Sequence, residues 1–118
     1  MRPADPLAVI QAARSWIGTP YHDQASVKGV GCDCLGLARG IWREVIGREP
    51  IKPPPYSRDW GEIDRRETFA EAIRPFMIEI DPAEAGPGAL ILFRMRERAP
   101  AKHCGILIAH GAALIHAY

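Results

Sequence analysis

The sequence predicts an α+β fold in which helices come first and an antiparallel sheet follows. Apolar residues recur every three or four positions in three stretches of the first two thirds of the chain, which is the period of an amphipathic helix. From residue 89 onward the pattern changes to short apolar runs bounded by Gly, Pro and charged residues, which predict strands. The 118 residues are enough for a single domain, residues 1–118, with one modest core.

Two helices are predicted in the N-terminal part of the chain. The first begins at Asp5, an N-cap with a proline directly after it, and ends before Gly18. The second follows Asp33, whose carboxylate is a good N-cap, and stops at Gly47. Residues 21–31 between them show no period and are predicted to be a loop. The apolar residues that carry the two periods are Leu7, Ile10, Ala13 and Ile17, then Leu37, Ile41 and Val45.

A proline-rich segment, residues 51–61, separates these helices from a third. Its prolines exclude a helix or a central strand, so we expect an extended connector, with peptide docking as the alternative. Tyr56 and Trp60 within it are expected to pack on the domain or to line a groove. The third helix is predicted over residues 64–76, followed at 77–80 by a short strand or an extended tail.

Three strands are predicted over residues 89–93, 103–109 and 112–118, with an exposed connection between the first two. The turn of the last hairpin decides which side chains meet, because a slip of one residue moves side chains to the other face. A two-residue turn puts Ala109 opposite Ala112, Gly105 opposite His116 and His103 opposite Tyr118. His103 and His116 then become diagonal neighbours about 7–8 Å apart, with open space at Gly105.

Charge and composition exclude several functional classes. The chain has 15 basic and 14 acidic side chains and a net charge of +1, so no electrostatic field draws it to nucleic acid. The longest uncharged run, residues 104–118, is too short to span a bilayer, and residues 1–6 lack the apolar core of a secretory signal. We therefore expect synthesis in the cytoplasm, with no nucleic acid and no membrane as partner. The odd count of three cysteines favours reduced thiols.

Cys34 is the candidate nucleophile. It falls in the first turn of the second helix, where unpaired N–H groups and the helix dipole favour a thiolate. Thiolate catalysis needs an imidazole to accept and return a proton and a third group to orient that imidazole, and His103 and His116 suit these roles. The alternative is that the cysteine only packs and that the histidines are ordinary strand residues.

Metal binding is the other use of these residue types. Cys32 and Cys34 are only one residue apart, a strained spacing for two ligands of one zinc ion. His103 and Cys104 are adjacent and would face opposite sides of a strand. No metal is therefore expected. Cys32 lies ahead of the N-cap, outside the turn that favours a thiolate, and is expected to pack or to act as a redox partner.

Five short motifs follow one another along nearly the whole chain. They are Gly18-Thr19-Pro20-Tyr21, Asp33-Cys34-Leu35-Gly36-Leu37, Pro87-Gly88-Ala89-Leu90-Ile91-Leu92-Phe93, His103-Cys104-Gly105-Ile106 and Ile115-His116-Ala117. Each is weak alone, but in this order and spacing they resemble the NlpC/P60 family of cysteine peptidases. The string from Gly29 to Leu37 is more similar to the phage and gene-transfer-agent branch of that family than to the bacterial lipoprotein branch.

The resemblance implies a papain-like α+β fold, with the cysteine helix packed on an antiparallel sheet. It implies Cys34 as nucleophile, His103 as base and His116 as the third residue, with Tyr21 orienting the substrate or stabilising the oxyanion. The implied reaction is hydrolysis of peptidoglycan stem peptides between D-γ-glutamyl and a diamino acid, without a metal or an organic cofactor. A phage-like particle would carry such an enzyme to the periplasmic cell wall, with tail proteins as partners.

The chain departs from the family pattern at three places. Leu35 follows the nucleophile where the family has a small residue, and Ala89 stands where an acid often follows the Pro-Gly turn. The chain also stops two residues after His116, where the family has further strands, so we expect a truncated domain with an exposed edge strand. Two other functions stay open: a catalytically inactive peptidoglycan-binding or structural tail component, and a related thiol acyltransferase or amidase.

Overall fold

The computed structural model of the chain describes residues 3–51, 53, 56, 67–94, 97–109 and 113–117. The described residues form helices and antiparallel strands, which confirms the α+β class. The order is the predicted one except for a short two-stranded ribbon between the first two helices. The elements are α1 (Pro6–Ser15), β1 (Ser26–Val27), β2 (Gly31–Cys32), α2 (Cys34–Val45), α3 (Thr68–Ile73), β3 (Leu90–Arg94), β4 (Ala101–Ala109) and β5 (Ala113–Ile115), with short 3-10 helices at Arg74–Phe76 and Pro82–Glu84.

The ends of α1 and α2 are set by local chemistry. The Asp5 carboxylate accepts a hydrogen bond from the N–H of Leu7 at 3.1 Å, and Asp33 caps α2 in a similar way. Gly47, with φ of +134°, follows α2 in a backbone conformation that favours glycine. The predicted starts and stops of these two helices are therefore confirmed to within a few residues.

The predicted loop at residues 21–31 contains more structure than its sequence indicates. β1 and β2 form a two-stranded antiparallel ribbon, with Ser26 opposite Cys32, and the turn between them contains Gly29 at φ of +77°. Strands of two residues are too short to show a period of two, which explains why the pattern predicts only a loop. The ribbon delivers the chain to the start of α2.

The third helix is shorter than predicted in its described part. It covers Thr68–Ile73 and tightens into a 3-10 turn at Arg74–Phe76, because Pro75 has no N–H to continue the α-helical pattern. Residues 64–66, the predicted start, lie outside the described residues. Residues 78–80 form no strand, so the extended tail is the correct one of the two alternatives.

The larger sheet has the strand order β3-β4-β5, so β4 is its central strand. Ile106 of β4 packs with α1 and α2 in the main core, while Cys104 packs with Leu35 of α2 and Phe69 of α3. Residues of α2 therefore pack against β4 in both clusters. In the described part of the chain, no helix is both long enough and apolar enough to cross a membrane.

The register of the last hairpin agrees with the prediction near the histidines and differs at the turn. Ile106 pairs with Ile115, as predicted, but Ala109 pairs with Ala113 instead of Ala112. Ile108 is the extra residue of a β-bulge, a local irregularity that alternation alone does not indicate. Residues 110–112 and 118, which include the predicted turn and the Tyr118 partner of His103, lie outside the described residues.

Gly105 does not leave open space beside the histidines, contrary to the prediction. A Cβ atom built at Gly105 would lie 2.8 Å from Leu114 Cδ1 and 3.0 Å from His116 Cβ. The space is filled because β5 approaches β4 closely at this point. Glycine allows the close approach of the Ile115 carbonyl oxygen and of His116 Cβ, which positions the imidazole.

Gly40 provides a test of the contact between α1 and α2. In an exposed helix a Gly to Ala change stabilises by about 1 kcal/mol. Here a Cβ atom would lie 2.0 Å from Cζ2 of the buried Trp16 ring, so we expect Gly40→Ala to lower the free energy of unfolding by about 1–3 kcal/mol. Urea denaturation followed by circular dichroism measures the change. In a Trp16→Leu background the loss should disappear, and an equal loss in both backgrounds would contradict the assigned contact.

Candidate active site

The start of α2 is built around the buried carboxylate of Asp33, which is 3% exposed. Its Oδ1 accepts a hydrogen bond from the N–H of Gly36 at 2.7 Å, which caps the helix. Its Oδ2 accepts from the N–H of Gln24 and from the hydroxyl of Tyr56, each at 2.7 Å. Three donors from three separate segments therefore stabilise one buried negative charge directly beside Cys34.

The residues just before β1 are also held at the start of α2. The backbone N–H of Asp33 donates to Ala25 O at 3.3 Å, and Gln24 is held at φ of +62°, a conformation that non-glycine residues rarely adopt. A Cβ atom at Gly36 would lie 1.8 Å from Ala25 O, so only glycine allows this close approach of backbone to helix. The geometry fixes the loop against the first turn of α2.

Cys34 is the first residue of α2 and is half-buried. Its pKa is lowered to about 5, chiefly by a hydrogen bond from the Cys104 side chain. Burial opposes this shift, and a hydrogen bond from His103, the N–H of Cys104 and the charge of His103 add to it. At neutral pH Cys34 is therefore a thiolate in the first turn of a helix, where the dipole also favours negative charge.

His103 and His116 are in direct contact. Nε2 of His103 lies 2.8 Å from Nδ1 of His116, and the ring centroids are 5.0 Å apart in an edge-to-face arrangement. His103 is 8% exposed and lies on β4, whereas His116 follows β5 and is exposed. The predicted pairing of the two histidines on one side of the hairpin is therefore present in the structure.

The contact between the rings restricts their protonation. One proton lies between the two nitrogens, so one ring must donate and the other accept. When Nε2 of His103 is the donor, Nδ1 of His116 is the acceptor.

His103 and Cys104 both reach Cys34, although neighbouring strand residues ordinarily face opposite ways. Phe93 pairs with His103 and Arg94 with Ala101, which leaves Lys102 as the extra residue of a bulge. Such a bulge increases the local twist and redirects the side chains that follow it. The sequence pattern did not indicate this bulge, which lies just before His103, whereas His103 and Cys104 themselves pair in regular register with Phe93 and Leu92.

The other candidate residues lie nearby. The backbone of Tyr21 forms a bridge with Cys32, and the Tyr21 side chain is 37% exposed, so its role with substrate stays a prediction.

Cys32 is 2% exposed in the main core, where burial and then the Asp33 charge raise its pKa. Packing is thus the role that its surroundings favour. Among the described residues, no three His, Cys, Asp or Glu side chains are grouped closely enough to hold a metal ion.

Tyr56 is a site residue that sequence reasoning assigned only to packing or to a groove. Besides its hydroxyl bond to Asp33, its N–H donates to Gln24 Oε1 at 3.2 Å, and its ring packs against the cluster of Leu35, Phe69 and Cys104. Burial and the bond to Asp33 raise the pKa of Tyr56, so it stays a neutral donor. An aromatic residue after prolines gives no signal of a partner 23 positions earlier.

Tyr56→Phe tests whether this hydroxyl stabilises the N-cap. The ring remains, but the buried carboxylate loses one of its donors, so we expect the free energy of unfolding to fall by about 1–3 kcal/mol. Chemical denaturation at pH 7 measures the change. Asp33→Ala should cost more, because it leaves three donors without an acceptor. Wild-type stability in Tyr56→Phe would contradict the assigned role.

The thiolate is tested by the rate of alkylation with iodoacetamide between pH 4 and pH 9. Because only the thiolate reacts, we expect the rate at Cys34 to fall with a midpoint near the pKa of about 5, against about 8.5 for an ordinary thiol. Mass spectrometry should locate the label at Cys34, since the other two cysteines are buried. His103→Ala should raise the midpoint, and a midpoint above 8 in the folded wild type would refute the assignment.

Comparison of the chain with protein-family models, with curated proteins and with solved structures found no match. A function for this chain therefore has to be inferred from its side-chain geometry and from the ordered motifs of its sequence.

Proposed function

We propose that this chain is a cysteine peptidase that hydrolyses peptidoglycan stem peptides. The observation that carries the proposal is the 2.8 Å contact between His103 Nε2 and His116 Nδ1, next to Cys34 at the start of α2. His103 is also among the groups that lower the pKa of Cys34 to about 5. A nucleophile, a base and a group that orients the base are the parts that thiol acyl transfer requires. Cys34 is the nucleophile, His103 the base and His116 the orienting residue.

The reaction proceeds in two steps. The Cys34 thiolate attacks the carbonyl carbon of the scissile amide, and His103 donates its proton to the leaving nitrogen as the C–N bond breaks. The thioester that remains is attacked by a water molecule, whose proton His103 accepts. The acyl group leaves as a carboxylic acid, and the thiolate and imidazolium are restored. His116 keeps the His103 ring oriented throughout, because its Nδ1 accepts from His103 Nε2.

Stabilisation of the oxyanion is supported by the position of Cys34 in α2. Asp33 already binds the N–H of Gly36 with its side chain and the N–H of Leu37 with its carbonyl oxygen. The earlier N–H groups of the helix have no acceptor within it and are suited to a developing negative charge. The Tyr21 hydroxyl is the additional donor that we propose on the basis of the family resemblance.

The substrate class is supported by the ordered motifs that resemble the NlpC/P60 family. On that basis we propose the papain-like variant of the α+β fold and cleavage between D-γ-glutamyl and a diamino acid. The same resemblance supports action at the periplasmic cell wall, with the protein carried there by a phage-like particle and its tail proteins. The packing of α2 on the central strand of the sheet is compatible with this proposal.

The proposal is tested by digestion of purified Gram-negative peptidoglycan, with the muropeptides resolved by mass spectrometry. We expect new peptide ends from the wild type and none from Cys34→Ala, because no other thiolate is available for attack. His116→Ala should retain the fold and lose about 10²–10⁴-fold in kcat, since the base loses its orientation. Cys32→Ala, a cysteine outside the site, is the matched control and should cleave at the wild-type rate.

The products distinguish this proposal from the alternatives. An amine acceptor added to the digest would appear in the products of an acyltransferase and stay unused by a hydrolase. A folded wild type that cleaves nothing, on wall material from several sources, would contradict the peptidase and favour an inactive wall-binding component.

A further inference from the structure

A second buried cysteine contacts the nucleophile. Cys104 lies on β4 opposite Leu92 and is 1% exposed. Its Sγ lies 3.3 Å from the backbone carbonyl oxygen of Cys34, and Cys34 itself packs against the cluster that contains Cys104. The mechanism described above makes no use of this side chain.

The surroundings of Cys104 keep it protonated. Its hydrogen bond with Cys34 and its complete burial raise its pKa well above the usual value. A neutral thiol is a donor, although a weak one, and the Cys34 thiolate is an acceptor. Of two thiols in contact, the half-buried one beside His103 carries the charge, and the fully buried one carries the proton.

We propose that Cys104 is a positioning residue, whose S–H donates to Cys34 and holds the nucleophile at the start of α2 against β4. This inference rests on the proposed role of Cys34 as nucleophile. Both acceptors near the Cys104 sulfur, the carbonyl oxygen and the thiolate, belong to Cys34. In the structure the S–H donates to the carbonyl oxygen at 3.3 Å, and rotation about the Cβ–Sγ bond turns the same hydrogen towards the Cys34 sulfur.

The competing explanation is that Cys104 only fills space, since buried cysteines often behave as small apolar residues. The two explanations predict different alkylation midpoints of Cys34 in three variants of Cys104. Cys104→Ala and Cys104→Val both remove the donor, with a loss and a gain of volume respectively, whereas Cys104→Ser keeps a donor in a smaller side chain. If Cys104 acts as a hydrogen-bond donor, the Ala and Val variants should shift the alkylation midpoint of Cys34 alike, and the Ser variant should differ from both.

The experiment is the pH profile of iodoacetamide alkylation at Cys34, which needs no substrate, combined with denaturation of each variant. We expect Cys104→Ala and Cys104→Val to raise the alkylation midpoint by about one pH unit, and Cys104→Ser to keep it at or below the wild-type value. Cys32→Val replaces the other buried cysteine, serves as the matched control and should leave the midpoint unchanged.

The outcomes separate this inference from the proposed function. A low midpoint in the wild type that Cys104→Val leaves unchanged would overturn the role of Cys104 and leave Cys34 as the nucleophile. If the alkylation midpoint of Cys34 instead varied with the volume of the side chain at position 104, so that the Ser variant resembled the Ala variant, Cys104 would have a packing role and the inference would also be overturned. An ordinary midpoint near 8.5 in the folded wild type would overturn both proposals together.

Discussion

The carboxylate of Asp33 joins the parts of the molecule that form the site. A buried negative charge is costly unless donors surround it, and this one takes an N–H from its own helix, an N–H from the preceding loop and a hydroxyl from the proline-rich segment. Each donor fixes a different piece of chain at the helix start. The position of Cys34 is therefore determined by a charge that takes no part in the chemistry itself.

A second constraint acts from the sheet. β4 lies in the centre and brings His103 and Cys104 to Cys34, while His116 directly follows β5, which approaches β4 closely at Gly105. Since the side-chain period of a strand is two, the pairing of Ile106 with Ile115 fixes the side on which each histidine lies. In the proposed mechanism the helix supplies the nucleophile, and the hairpin supplies its base and the group that orients the base.

The features that could be predicted from the sequence are those set by nearby residues. The cap at Asp33 and the stop at Gly47 depend on local backbone chemistry. The meeting of His103 with His116 was predicted from the strand period, and it holds although Ala109 pairs with Ala113, because the extra residue at Ile108 restores the predicted pairing of Ile106 with Ile115. The bulge at Ile108 escaped prediction because a local irregularity leaves no trace in an apolar run. The bond from Tyr56 to Asp33 escaped because it joins segments whose relative placement is known only after folding.

The contact between Cys34 and Cys104 spans 70 positions of the chain, so the surroundings of the Cys34 thiol change as the chain is synthesised and folds. While a chain is being synthesised, α2 emerges long before β4, so Cys34 at first has neither His103 nor Cys104 beside it. Such a thiol is mostly protonated at neutral pH and reacts slowly with electrophiles and oxidants. Long-range strand pairing is also among the slower events of folding. The low pKa of Cys34 therefore depends on contacts that form only when β4 packs against α2, and a chain without β4 has an ordinary cysteine at this position.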